Sequence, residues 1–282
     1  MALGAFVSAP DGKRVRHTTG SLSLIAGIFV LFFSGCTTLP SGRAWGESAT
    51  IRPGWTHIRE VAKAAAIDPW VWVPLAGAAA FQLNDFDRRV SNWARTHTPV
   101  FGSQEGAEQW SDDLRSAAGL AALATFLATP SGVQADEWVA NKVKGGAVEW
   151  LAVGATSLVT GTLKDATDRE RPNGSDLESF PSGHTSSAAV LARLASFNLE
   201  SLDINSSSGR TADFTLGAIV IGTGWARVEA GEHYPSDTLA GMALGNFMAS
   251  FFARAFLDTE TRNTVAVEGA DGGAVLRWNL RF

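Results

Sequence analysis

The chain has 282 residues, 45% of them hydrophobic and 18% charged, with 23 Lys and Arg against 28 Asp and Glu for a formal net charge of −5. That length supports a sizeable buried core, and an acidic balance without a basic stripe argues against nucleic-acid binding. A single cysteine leaves no disulfide to form within the chain.

The N-terminus reads as a processing segment. Lys13, Arg14 and Arg16 precede an apolar run from Leu22 to Phe33 that ends in Ser34-Gly35-Cys36. A positive region, a short apolar stretch and small residues describe a secretory signal. With Cys36 directly after Ser-Gly, residues 1–35 resemble a bacterial lipoprotein signal, although Phe33 stands where Leu is commonest. The resemblance implies lipidation of Cys36, and Thr37 after it implies the outer membrane of a Gram-negative cell, on the periplasmic side. A transmembrane anchor is the other reading, but the run is short for a span. Residues 36–55 are rich in Pro, Gly and Ser and read as a tether.

Apolar segments with good helix formers then recur at Trp70–Leu83, Ala117–Ala128, Ala147–Leu163, Thr185–Phe197, Thr215–Val228 and Thr238–Phe256. Ser111-Asp112-Asp113 reads as a helix cap with first-turn carboxylates. Thr129-Pro130-Ser131-Gly132 reads as a break. Asn84 to Arg89 reads as a polar turn, and Glu200 to Asp213 as a polar loop. Most apolar runs fall short of a membrane span or carry charges such as Glu149 and Arg254. The expectation is a mainly α helical bundle over 56–260, tethered rather than embedded, with an integral helical core as the alternative. At 261–282 alternating residues flank a Gly-rich turn at Gly269 to Gly273, which predicts a short C-terminal β-hairpin. His57 and His97 read as packing or surface groups. No organised metal-ligand cluster is legible, and no cofactor is implied.

The residues that carry chemistry fall in three clusters. Lys164-x6-Arg171-Pro172 places two cations on one face of a helix end, two turns apart, with Pro172 as the stop. A guanidinium grips two phosphate oxygens in a fork, and Lys adds a point charge. Pro181-Ser182-Gly183-His184 opens a helix, with Ser182 as N-cap and Gly183 allowing close approach of an anion to the backbone. His184 on that first turn has the chemistry of a proton donor near neutrality. Arg227-x5-His233-x3-Asp237 supplies a third cation and a histidine. Asp237 stands one turn beyond His233, where its carboxylate can fix the tautomer of the ring. Asp168, Arg169 and Glu170 read as an ion network at a helix end.

In order and internal spacing, the clusters from 164 to 237 resemble the signature of the type 2 phosphatidic acid phosphatase superfamily. That superfamily also holds bacterial acid phosphatases and vanadium haloperoxidases. The resemblance implies a helical bundle of that type and a phosphoric ester hydrolase. It implies that His233 attacks phosphorus, Asp237 orients it and His184 protonates the leaving group. Lys164, Arg171, Ser182, Gly183 and Arg227 then bind the phosphoryl oxygens. The chain departs from the pattern at Ala226, where the family usually has Ser, and its insert between Pro172 and Pro181 is short. The lipid anchor and apolar composition favour a lipid phosphate or pyrophosphate as substrate. A soluble phosphomonoester is the alternative, and a haloperoxidase holding vanadate on His233 is a more distant one.

Overall fold

The computed structural model describes residues 38–39, 41–202 and 204–257, together with the backbone of 263–270 and 273–280. The signal segment, Cys36 and the last two residues lie outside the described residues.

Eight α-helices are found among the described residues. Helix α1 spans Trp55–Ala66 and α2 Pro69–Phe81. The start of α2 is set by Asp68, whose carboxylate accepts from Trp70 N at 3.1 Å, and by Pro69 in the first turn. A single 3₁₀ turn at Leu83–Asp85, with Asn84 and Asp85 in the left-handed region, then reorients the chain into α3, Phe86–His97. The predicted polar turn is therefore real but brief, and Asp87 already belongs to a helix. Helix α4 covers Gln104–Ala128, and its cap is Ser103, whose Oγ accepts from Gly106 N at 2.9 Å. Ser111 and Asp112 consequently lie inside that helix, which corrects the expectation that they cap one. The break after Ala128 stands where Thr129 and Pro130 place it.

Helix α5 runs Ala135–Thr167, α6 Gly183–Ser201, α7 Ser206–Glu229 and α8 Pro235–Phe256. Helices α4, α5 and α7 therefore extend well beyond their apolar stretches. The expected polar loop from Glu200 to Asp213 shrinks to a short link, because Asn205 caps α7 by accepting from Ser208 N at 2.9 Å.

Helix α6 is central and packs against α4, α5, α7 and α8. The shared core is built of small side chains, with Ala118, Ala122, Ala188, Ala189, Ala192 and Ala195 buried together. Small residues let helix axes approach closely, so backbone at one helix end is placed tightly against its neighbour. The segment expected as a free tether also packs down. Trp45 is buried against Val148 and Leu257, its ring lies edge-on to Phe126, and Thr50 N donates to Phe256 O at 2.9 Å. The burial of an indole outweighs the flexibility that the neighbouring Gly and Ser would allow.

The C-terminal strands β1, Asn263–Ala270, and β2, Gly273–Leu280, pair antiparallel with Val265 opposite Trp278 and Val267 opposite Leu276.

Candidate active site

All three clusters sit at helix ends. The α5 helix ends at Thr167, followed by Asp168 in the left-handed region. Arg171 therefore lies in the connecting loop, not two turns along the same helix as Lys164. The residue before a proline is disfavoured in helical geometry, and that loop begins before Pro172. The two cations still converge on one region. Lys164 Nζ donates to Glu178 O at 2.6 Å, Arg171 Nε donates to Asp176 Oδ1 at 2.6 Å, and Arg171 Nη1 pairs with Glu232. Burial and the neighbouring Arg171 charge both lower the pKa of Lys164.

Ser182 caps α6 as expected, with Oγ accepting from Thr185 N at 3.4 Å and from Thr185 Oγ1 at 3.0 Å. Ser182 N in turn donates to Asp237 O at 3.0 Å, which pins the second cluster to the third. His184, on the first turn of α6, donates from Nε2 to Asp112 Oδ1 at 2.9 Å. That bond depresses the Asp112 pKa, whereas burial and then Arg227 lower the His184 pKa below its ordinary 6.5.

Arg227 closes α7. Its Nη2 donates to Glu232 Oε2 at 3.0 Å, so Glu232 takes both Arg171 and Arg227. Its Nη1 reaches Ser111 Oγ at 3.4 Å. Beyond the helix, Gly231 at φ +75 turns the chain back, and the amides of Glu232 and His233 both donate to Arg227 O. This turn brings His233 onto the end of the helix that carries Arg227.

His233 is buried, and its Nδ1–H donates to the main-chain oxygen of Ser179 at 2.6 Å. Burial first, then Arg227 and Arg171, and more weakly Lys164, drive its pKa well below 6.5. Three cations thus act on one imidazole that is neutral at pH 7, with Nε2 as its unprotonated nitrogen. A neutral ring ringed by positive charge suits attack on a multiply charged anion, because the cations cancel the repulsion that an incoming anion would otherwise meet.

The expected direct bond from Asp237 to His233 is not formed. Asp237 Oδ1 accepts from Arg169 Nη1 at 2.5 Å, and Oδ2 accepts from Ser179 Oγ at 2.6 Å and Tyr234 N at 2.9 Å. Ser179 stands between the two groups, its hydroxyl on the carboxylate and its carbonyl on the ring. Ser179 thus takes the place of the expected direct contact. Burial pushes Asp237 up to about 6, against the pull of Arg169.

Sequence reasoning missed Asp87, Asp112, Ser179 and Glu232. Only Ser179 and Glu232 carried a signal, being within two residues of a motif. Gly183 holds its predicted place as the first residue of α6. No group of three or more His, Cys, Asp and Glu suited to a metal occurs among the described residues.

Beside these helix ends, α2, α7 and α8 enclose an apolar cleft of about 620 Å³ lined by Trp70, Val73, Phe81, Ile221, Trp225 and Met242, among others. Val228, next to Arg227, and Pro235 and Thr238, on either side of Asp237, belong to the same wall.

Residues 150–260 match the family model described as the PAP2 superfamily. This segment is similar to that superfamily. It contains all three clusters and the end of α5 and the helices α6, α7 and α8 that present them, whereas Asp87 and Asp112 reach the site from outside it. Phosphatidylglycerophosphatase B of Bacillus subtilis (strain 168) is 32% identical over 111 residues, which cover 37% of this chain and 55% of that protein. The alignment thus spans about half the length of that relative. A solved structure, the first transmembrane PAP2 type phosphatidylglycerolphosphate phosphatase from Bacillus subtilis, aligns with a TM-score of 0.48 at 23% identity, covering 64% of this chain and 90% of that one.

Proposed function

We propose that this protein is a phosphatase that hydrolyses phosphomonoesters or pyrophosphates of lipids through a phosphohistidine. The observation that carries the reading is the neutral, buried His233 held by one nitrogen and acted on by Lys164, Arg171 and Arg227. His233 Nε2 attacks phosphorus, forming a P–N bond as the P–O bond to the leaving group breaks. The departing oxygen takes its proton from His184. Water then attacks phosphorus, giving its proton to His184, and the P–N bond breaks to release phosphate and restore the ring. The three cations and the amides at the start of α6 stabilise the charge on the transferring oxygens. Ala226 contributes no hydroxyl to that set.

Two features support a lipid substrate at a membrane. The apolar cleft shares Val228, Pro235 and Thr238 with the segments that carry the catalytic groups, and its volume suits a hydrocarbon chain. The bundle also leaves large apolar side chains exposed, among them Trp72, Trp150, Leu158 and Phe214, in the manner of a surface that meets lipid. Among the described residues one helix, α8, is long and apolar enough to cross a membrane, and the bent pair α1–α2 passes the same test together. A lipid on Cys36 would hold the domain at the periplasmic face of the outer membrane.

The test uses the chain from Thr37 onward in detergent, assayed for phosphate release from phosphatidic acid, a polyprenyl pyrophosphate and p-nitrophenyl phosphate. Release that vanishes in His233→Ala supports the reading, and its preference among the three substrates separates lipid from soluble ones. Folded protein that releases phosphate from none of them refutes it.

A further inference from the structure

Behind His233 lies a chain of buried polar groups that begins outside the segment matched by the family model. Asp87, near the start of α3, is only 4% exposed. Its Oδ1 accepts from Ser236 N at 2.9 Å, and its Oδ2 accepts from Ser236 Oγ at 2.5 Å and from Arg169 Nη2 at 2.7 Å. The other end of the same guanidinium serves Asp237 Oδ1 at 2.5 Å and Ser236 Oγ at 2.9 Å, while its Cζ lies 4.3 Å from the centre of the Tyr234 ring. Arg169 is thus fixed by two carboxylates and an aromatic face.

Arg169 also grips Ser179 from two sides. Its own carbonyl accepts from Ser179 N at 2.9 Å, and through Asp237 it holds the Ser179 hydroxyl at 2.6 Å. With its amide and hydroxyl both committed, Ser179 can present its carbonyl in one direction only, to His233 Nδ1 at 2.6 Å. A carbonyl accepts and never donates, so this contact selects the tautomer whose Nδ1 bears the proton and whose Nε2 is bare. The two carboxylates and one guanidinium carry a net negative charge behind the ring. That charge favours the positive ring that forms as Nε2 bonds to phosphorus.

We infer that Asp87 and Arg169 are positioning residues that fix His233 for attack by way of Asp237 and the carbonyl of Ser179. The inference rests on His233 being the nucleophile, and it gives that role to a relay through a main-chain carbonyl rather than to a direct carboxylate–imidazole pair. A purely structural role for Asp87, capping Ser236 at the start of α8, would alter thermal stability without touching the state of the ring.

The experiment compares wild type, Asp87→Asn, Asp87→Glu, Arg169→Lys and Ser179→Ala as full-length protein in detergent. The readouts are kcat and KM against pH, together with long-range proton–nitrogen correlation spectra of histidine-labelled protein. In wild type the spectrum shows His233 protonated at Nδ1. In Asp87→Asn the Nδ1–H form gives way to a mixture of tautomers, kcat falls about 10- to 100-fold and KM stays within about twofold, the scale known for outer partners of oriented imidazoles. Asp87→Glu restores part of kcat. Folded Asp87→Asn and Arg169→Lys that keep both the Nδ1–H signal and wild-type kcat overturn the inference, as does a loss confined to KM. Should Asp87→Asn fail to fold, Arg169→Lys and Ser179→Ala decide by the same readouts. If the variants shift the tautomer while wild type releases no phosphate from any substrate, the relay stands and the phosphatase reading falls. If kcat collapses with the tautomer unchanged, the reverse holds.

Discussion

Helices α6 and α8 touch through glycine, and substituting one of those glycines tests how the site is assembled. An added Cβ at Gly241 would stand 2.5 Å from Ser182 O and 3.3 Å from Ser186 N. Both are main-chain atoms at the start of α6, so no side chain can swing aside. To restore ordinary contact the two helices must part by about 1 Å, in an interior packed to crystal density. Overpacking of this kind costs about 1–3 kcal/mol, against which Ala regains about 1 kcal/mol of helix propensity. Gly241→Ala is therefore expected to lose up to about 2 kcal/mol of stability. The catalytic effect is larger, because Ser182 leads directly into the amides of the anion site, and its own N–H donates to Asp237 O at 3.0 Å. A displacement of about 1 Å between Ser182 and His233 predicts a fall of about 100-fold in kcat/KM. Gly154 in α5 is the control, since nothing stands within 4 Å of its added Cβ. Gly154→Ala should gain about 1 kcal/mol and leave kcat unchanged. Urea unfolding followed by circular dichroism, with phosphate release on the same preparations, reads both effects. A Gly241→Ala protein as stable and as active as Gly154→Ala would refute this account of the interface.

Two further outcomes follow from groups away from the phosphate cage. Burial raises the Glu149 carboxyl from 4.5 to about 7, against the Asn198 amide that donates to it at 2.8 Å, so between those values the folded chain holds a proton that the unfolded chain releases. Stability should fall as pH rises through that window, by up to about 3 kcal/mol from this group. Glu149→Gln should match wild type near pH 4.5 and exceed it at pH 8, and parallel melting profiles for the two proteins would sink the argument. Gly77 lines the apolar cleft, where an added Cβ would lie 3.2 Å from Leu239 Cδ1. Gly77→Leu should raise KM about tenfold for long-chain lipid phosphates, as expected for blocking a few buried methylenes, and leave p-nitrophenyl phosphate hydrolysis unchanged. An equal effect on both substrates would separate the cleft from substrate binding.

The three clusters were legible in the chain because the turn chemistry that presents them is local. Ser182 caps α6 through an amide three residues on, and Pro235 opens α8 by its fixed φ. The apolar helices of the bundle were legible for the same reason, although polar flanks hid their true ends and left α1 and α3 unseen. These two bury only a few residues each, Val61 and Ala65 in one and Asp87, Ser91 and Ala94 in the other, so their apolar stripe is thin. What holds His233 and His184 comes instead from contacts between distant elements. Asp87 meets Ser236, and Asp112 meets His184, across long separations in the chain. Hydrogen bonds between distant elements leave no period and no spacing to read. The same holds for Arg171, which shares a carboxylate with Arg227 although it left the helix of Lys164. Local propensity sets where each element begins; the packing of small residues between helices sets which side chains share a site.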